Sequence, residues 1–485
     1  MRKLLLLLTI FFFSFTQAQI NVDGFVLGLF DDSIDKPIDI AIHPDNDKMV
    51  VAERNGIFWL YNLVGDEWIK EDIPFLNISN QVTTYFERGV ESILVDRHFV
   101  YVYYTVEESY LFPDLPIEDD SATVNRVSRW EVAWRQNITV FGEHILVDGI
   151  PSLAGNHQGG GLSFGKEGYG WLFISTGDGS NAGYSAEAVE RGIIPEEHKN
   201  LEGRYRSQIK SSPNGKILRV VLWNGDGMVG NPYYDINNKS SWQSRIYDYG
   251  YRNPFRIFYD KAQDSLFVAD VGAGAKEEIT IAKPDGNAGW GKYEGFNENS
   301  FSTSIINPDT NQPFEVDYQN KPILDYGHNG NPLTRLLGED GQPFTDTANP
   351  IQGNSITGGV VLKEGFGQFT GFYMFTDYSN GAINLLSPDR TYTINFASPG
   401  TIFTPISIKQ GVDGSVYVIS LFGDIQRIYF EGSLSVDDKE FFNRAKLVGY
   451  YDMLGRKLKE PKSTGIYIAH YLVDGKIYAR KEIKN

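Results

Sequence analysis

Cysteine is absent from this 485-residue chain, so neither a disulfide nor a thiolate metal centre can be built. Any resident metal must be held by oxygen or imidazole. Positive charge is scarce as well: 44 lysines and arginines face 62 aspartates and glutamates, for a net charge of −18. Such a surface repels nucleic acid and has no basic stripe to overcome the repulsion, so no nucleic-acid partner is expected. An acidic surface can equally serve solubility alone. Long apolar runs are limited to Leu4–Phe15, twelve residues behind Arg2 and Lys3. That is short of the ~20 residues needed to cross a bilayer. With small residues for cleavage at Thr16-Gln17-Ala18, residues 1–18 read as a signal peptide, a membrane anchor being the alternative. Removing it would leave 42 basic and 62 acidic residues, a net charge of −20. The mature protein is expected to be exported, without a transmembrane segment. Sustained 3.6-residue periodicity is missing, and so are the HExxH zinc signature and the P-loop.

What is abundant points to β-structure: 50 glycines, 28 tyrosines and 31 phenylalanines. One pattern recurs, a short apolar run, a polar turn, then a second strand-like run. It appears as MVVAERNGIFWLYN from Met49, as FVYVYYT from Phe99 with RVSRWEV from Arg126, and as GWLFISTGDG from Gly170 with GKILRVVL from Gly215. It returns as SLFVADVG from Ser265 with EEITIA from Glu277, as FYMFTDYSNGAINLL from Phe372, and as SVYVISLFGDIQRIYF from Ser415. Six such units, separated by long insertions, predict an all-β chain folded as a six-bladed β-propeller over residues 19–430. Two stacked β-sandwiches are the alternative. The segments Ser180–Gln208 and Asn297–Asn354 are too long for connectors and are expected to shape a pocket.

Residues 431–485 read as a linker, EGSLSVDDKE, followed by a small β module of three or four strands. Its turns are expected at Met453–Arg456, Pro461–Gly465 and Asp474–Lys476. No catalytic grouping appears in it.

Three clusters can carry chemistry. In GNHQGGGLSFG, Gly155 to Gly165, a histidine precedes three glycines, and the next strand ends at Gly177-Asp178-Gly179. In a hairpin the start of one strand and the end of its partner share an end, so His157 and Asp178 are expected on one rim. A carboxylate there can hold the imidazole in one tautomer and raise its basicity, as a general base requires. A histidine ornamenting a glycine turn is the plain alternative. In YGYRNPFRI, Tyr249 to Ile257, Arg252 offers a planar fork of donors at a strand entrance, either for a ligand or to tie blades together. In ADVGAGAKEEI, Ala269 to Ile279, small residues expose carbonyls beside Asp270, Glu277 and Glu278, which suits a hard cation such as calcium, although the spacing is no EF-hand. GLSFG fits the letters of a nucleophile elbow, but Ser163 falls mid-strand rather than at a strand–helix turn, against a serine hydrolase. His328 in DYGHNG reads as a turn residue, a pocket residue being the alternative.

Taken in order, NHQGGGLSFGKEGYGWLFISTGDG, YGYRNPFRI, LFVADVG with KEEI, GNAGW and SITGGVV resemble the soluble quinoprotein sugar dehydrogenases of the glucose/sorbosone dehydrogenase family, over most of Pro37–Tyr429. The resemblance implies a six-bladed propeller holding pyrroloquinoline quinone and calcium (Ca2+) at the channel mouth, and oxidation of the C1 hydroxyl of an aldose. It implies that His157 is the catalytic base, Asp178 its partner and Arg252 the cation beside the reacting carbonyl. Glu87, Arg252, Asn253 and Gln208 would contact the cofactor. Gly272 and Ala273, through their carbonyls, and Glu278 would hold the metal. One departure stands out. Where the best-known bacterial members carry a lysine and two arginines for the quinone carboxylates, this chain has Ser379, Thr404 and Ile406. Lys283, Lys292 and Lys409 are the candidates to stand in for them. A non-catalytic propeller binding carbohydrate or protein at the same rim is therefore the competing expectation. The tail pieces YYDMLGRKL, GIYIAHY and DGKIYARKEI are similar to the sorting domain of the type IX secretion pathway. They imply export across both membranes and a partner in that secretion machinery.

Overall fold

The computed structural model describes residues 20–430 apart from positions 46, 66, 116–120, 135–137, 167–169, 181–184 and 329, together with the strands of the tail between 446 and 484. The expected signal peptide and the linker 431–445 lie outside the described residues. Among the described residues no helix is long and apolar enough to cross a membrane.

Six sheets, antiparallel but for one short parallel pair at the outer edge of the third, form the blades of a β-propeller. The innermost strands are Pro37–Ile42, Val90–Val95, Gly159–Phe164, Pro254–Asp260, Ile356–Val361 and Pro405–Gln410. Each touches the next around the ring, and the last returns to the first. The ring is closed by its first and last strands: Phe25–Asp31 pairs with Ile425–Phe430 as the outer strand of the sixth blade. Each of the six sequence units supplies the inner-middle strands of one blade.

The aromatic richness of the sequence is spent between blades. Tyr101 and Tyr103 of the second blade pack with Leu162 and Ile174 of the third. Phe267 of the fourth stacks on Tyr373 of the fifth, with ring centroids 4.6 Å apart. Burying one such side chain contributes about 1.5–3 kcal/mol, so six interfaces of this kind outweigh the missing disulfides.

The insertions differ from expectation in one respect. Much of Asn297–Asn354 is not a loop: Leu324–Gly327, Thr334–Leu337 and Pro343–Thr345 extend the fourth blade to six strands. Alternation in these short strands is masked by the polar residues between them. Ser163 lies inside the strand Gly159–Phe164, and its hydroxyl accepts the Tyr259 N–H at 3.0 Å, so it is a sheet residue and no nucleophile. In the tail, Lys446–Tyr451, Lys457–Leu458, Gly465–Val473 and Lys476–Lys484 pair into a four-stranded sheet. The expected turns at 453–456, 461–464 and 474–475 lie outside the described residues.

Candidate active site at one mouth of the propeller

Three inner strands begin at one rim, just after Glu87, His157 and Asn253. The second strands of the third and fourth blades end at the same rim, with Thr176 opposite Gly159 and Asp270 opposite Pro254. Topology thus gathers these side chains, although 70 residues separate Glu87 from His157.

His157 adopts φ +56, in the left-handed region that few non-glycine residues occupy. Neighbouring groups hold it there. Its backbone N–H donates to Glu87 Oε2 at 2.8 Å, and Gln158 Nε2 donates to the carbonyls of Ala154 and Asn156. The glycine at position 177 is required, because a Cβ there would sit 1.9 Å from the His157 carbonyl oxygen. In this setting His157 Nδ1 meets Asp178 Oδ1 at 2.7 Å.

Asp178 is almost fully buried and saturated with donors. Ser180 N–H reaches Oδ1 at 2.7 Å, and Trp290 Nε1 reaches Oδ2 at 2.8 Å. Burial alone would raise its pKa, but His157, Arg252 and Arg206 outweigh it and hold the carboxyl below the ordinary value. Asp178 is therefore ionised and faces His157 Nδ1, so in the neutral imidazole Nδ1 carries the proton and Nε2 keeps a lone pair. Nε2 has no hydrogen-bond partner among the described residues. The pair can accept a proton at Nε2.

Arg252 lies beside this pair. Its backbone N–H donates to Asp270 Oδ2 at 2.9 Å, its Nη1 donates to the Val271 carbonyl at 3.0 Å, and its guanidinium stands 5.5 Å from the Trp290 ring centre. Trp290 thus touches both the acid and the cation of the site. Glu87 keeps accessible surface at the rim, yet crowding by protein atoms raises its pKa, opposed by His157, Arg252 and Arg54. Asn253 is tied inward: its side-chain oxygen accepts the Gly159 N–H at 2.9 Å, which locks the third blade to the fourth.

A model of the glucose/sorbosone dehydrogenase family matches residues 34–322. This chain belongs to that family. Among curated relatives, HIPL2 protein of Arabidopsis thaliana is 31% identical over 191 residues, covering 38% of this chain and 25% of that protein. The matched segments span between a quarter and a third of the curated relatives' lengths. Among solved structures, the soluble aldose sugar dehydrogenase of Escherichia coli in its apo form aligns with a TM-score of 0.57 at 16% identity, covering 84% of this chain and 99% of that one. The PQQ-bound aldose sugar dehydrogenase of Streptomyces coelicolor aligns with a TM-score of 0.54 at 16% identity, covering 84% and 98%. At such identities these structures establish the shared propeller.

Several residues that the family resemblance assigned also make contacts within the protein. Gln208 is consumed inside the protein: its Nε2 donates to Asn287 Oδ1 and to the Trp290 carbonyl, both at 3.1 Å, and its Oε1 accepts from Asn287 Nδ2 at 2.8 Å. It supports Trp290; both of its N–H donors are used, and Oε1 keeps one acceptor site. Glu278 is buried, and its Oε1 accepts the Gly295 N–H at 2.5 Å. Burial, with Asp270 next to it, raises its pKa well above the ordinary carboxylate value. The N–H groups of Ala273, Gly274, Ala275 and Lys276 all converge on Glu294 Oε1 at 2.8–3.0 Å. The Gly272 and Ala273 carbonyls accept no hydrogen bond among the described residues. They fit a cation that draws its remaining oxygens from ligand and water. No group of three or more acidic or histidine side chains able to hold a metal is found among the described residues.

The stand-in lysines fare no better. Lys409 pairs with Asp39 at 3.2 Å and lines a cavity at the far end of the channel. Lys292 pairs with Glu298 at 3.5 Å, and Lys283 follows the end of Lys276–Ala282 that is away from this rim. Ser379 bonds back to Asp377, and Ile406 is buried among apolar neighbours. His328 bonds Glu277 at 2.9 Å. Two contributors to the rim escaped the sequence reading. Arg54 donates to the carbonyls of Arg88, at 2.8 Å, and Thr84, at 2.7 Å, pinning the loop that carries Glu87. Trp290 carried no local signal beyond its place in GNAGW.

Proposed function

We propose that this protein is a sugar dehydrogenase-like oxidoreductase that removes the C1 hydroxyl proton and the C1 hydride of an aldose, giving the lactone. The observation that carries the reading is the chain of contacts Trp290–Asp178–His157, which leaves one basic nitrogen free at the propeller mouth beside Arg252. His157 Nε2 would take the hydroxyl proton, and Asp178 would stabilise the imidazolium that forms. Arg252 would orient the acceptor and stabilise charge developing on it. Pyrroloquinoline quinone with calcium, when bound, would supply the hydride acceptor and its polarisation. The Gly272 and Ala273 carbonyls are groups available to the cation, and Arg252 offers a guanidinium to the cofactor. Export as a secreted or cell-surface protein, with the tail read by the type IX machinery, belongs to the same proposal.

One observation favours a second reading, a propeller that binds carbohydrate without turning it over. The rim positions Ser379, Thr404 and Ile406 carry no charge. Three cofactor carboxylates without those cations lose charge-assisted hydrogen bonds worth about 1.5–3 kcal/mol each. Reconstitution separates the two. The purified protein is given quinone and calcium, and reduction of an artificial dye is followed with a panel of aldoses. Turnover is expected; binding of a saccharide with no reduction would establish the second reading.

A further inference from the structure

The candidate active site uses one end of the six inner strands. The other end has a character of its own. These strands all run from the His157 rim to a second mouth, about 20 Å away for six residues at ~3.3 Å each. There they surround a cavity of about 1030 Å³. Where the strands end its wall is apolar, with Ile42, Phe164, Phe258 and Val360. Its charged residues are not what the composition foretells. Arg97 from the second blade, Lys166 from the third, Arg256 and Lys261 from the fourth, Lys363 from the fifth and Lys409 from the sixth line it, against one carboxylate, Asp96. In a chain of net charge −18, such a ring is a local reversal of sign.

Much of that positive charge is left over after local pairing. Asp96 is turned into its own turn, where Oδ1 accepts the N–H groups of His98 and Phe99 at 2.7 Å and Oδ2 accepts the Tyr101 hydroxyl at 2.9 Å. Arg97 pairs with Asp45, and Lys409 with Asp39. Lys166 and Lys363 are exposed and have no ion-pair partner among the described residues. Arg256 is buried, and its Nε has no hydrogen-bond partner among the described residues. Of the acids behind it, Asp39 is shared with Lys409, and burial raises the Glu91 carboxyl to about 8, which keeps it largely neutral at pH 7.

We propose that this second mouth binds a compact polyvalent oxyanion, a small molecule carrying two or more phosphate or carboxylate groups. The cavity has the size of small-ligand pockets. Its cations line one cavity from five blades, whereas a charged polymer would need them along a surface track. Apolar strand ends beneath them would lower the local dielectric and strengthen each contact. The inference is independent of the chemistry assigned to His157.

Calorimetric titration of the intact protein with tripolyphosphate and with citrate, at low and at physiological salt, tests it. Saturable binding of either probe is expected, weakening with salt, and which probe binds tells phosphate from carboxylate. A Lys166→Gln/Lys363→Gln double variant is expected to weaken it about tenfold or more. A Lys199→Gln/Lys239→Gln pair, far from this cavity's lining, should leave it unchanged. The proposal is overturned if neither probe binds more tightly than chloride. Equal weakening by both lysine pairs would also overturn it, as would binding confined to a sulfated polysaccharide or an oligonucleotide.

Discussion

Trp290 and Asp178 lie 112 residues apart in the chain and meet at 2.8 Å, the indole N–H donating to the carboxylate oxygen that His157 leaves free. The imidazole takes one oxygen of Asp178 and the indole the other, so neither can turn without breaking a bond to a buried acid. A hydrogen bond to the ionised form also lowers the carboxyl pKa. Trp290→Phe keeps the ring beneath Arg252 and removes only the donor. It is expected to reduce kcat by up to about tenfold. It should also raise the pKa of Asp178, moving the acid limb of the pH–rate profile to higher pH. An unmoved limb would show that the indole only packs.

His157→Ala removes the nitrogen that receives the proton. With aldose turnover established in the reconstituted protein, kcat is expected to fall by about 10²–10⁴-fold. Thermal stability is also expected to fall, by about 1–3 kcal/mol, since the imidazole bonds the buried Asp178 carboxylate and its removal leaves that acid short of a partner. Steady-state kinetics with unchanged turnover would remove His157 from the mechanism.

Asp178→Asn tests positioning separately from basicity. The amide can no longer stabilise an imidazolium, so kcat is expected to drop roughly 10²-fold while KM for the sugar holds. A change in KM alone would instead mark Asp178 as a shaping residue.

Gly177→Ala places a Cβ on the His157 carbonyl oxygen, at 1.9 Å in the unrelaxed backbone. The turn must shift, at a cost of about 1–3 kcal/mol. A lower Tm with loss of activity is expected, and wild-type values for both would contradict the placement of the turn.

Glu91 gives a pH test inside the channel. Its folded pKa is raised to about 8 by burial, from an ordinary 4.5. Below pH 4.5 it is protonated in both states and costs nothing. As pH rises from 4.5 towards 8 the unfolded chain gives up this proton while the folded one keeps it, so stability is lost progressively across that window. Glu91→Gln is expected to flatten this decline. Calorimetric Tm values at pH 5, 6.5 and 8 check it; parallel curves for the two proteins would contradict it.

The blade units were readable because a strand pair carries its own signal, alternating apolar residues closed by a polar turn, as in GWLFISTGDG. The pairing of His157 with Asp178 was readable for the same reason, since both belong to one hairpin and a hairpin fixes which residues share an end. Gln208 and Glu278 have hydrogen-bond partners 79 and 17 residues away, Asn287 and the Gly295 N–H, which no local pattern announces. A polar side chain looks the same in sequence whether it faces a ligand or is spent on a buried neighbour.

By itself the sequence determined what local chemistry can encode: no disulfides, β-strands in six repeats, and an imidazole and a carboxylate at the two open ends of one hairpin. Only the tertiary structure decided what needed ring closure. Closure brought Trp290 and Arg252 to that hairpin, committed Gln208 to their support, and drew lysines from four blades and Arg97 from a fifth around the opposite mouth. The physical reason is range: strand period and turn chemistry act over a few residues, whereas hydrogen bonds and charges between blades depend on which distant segments the closed ring sets side by side.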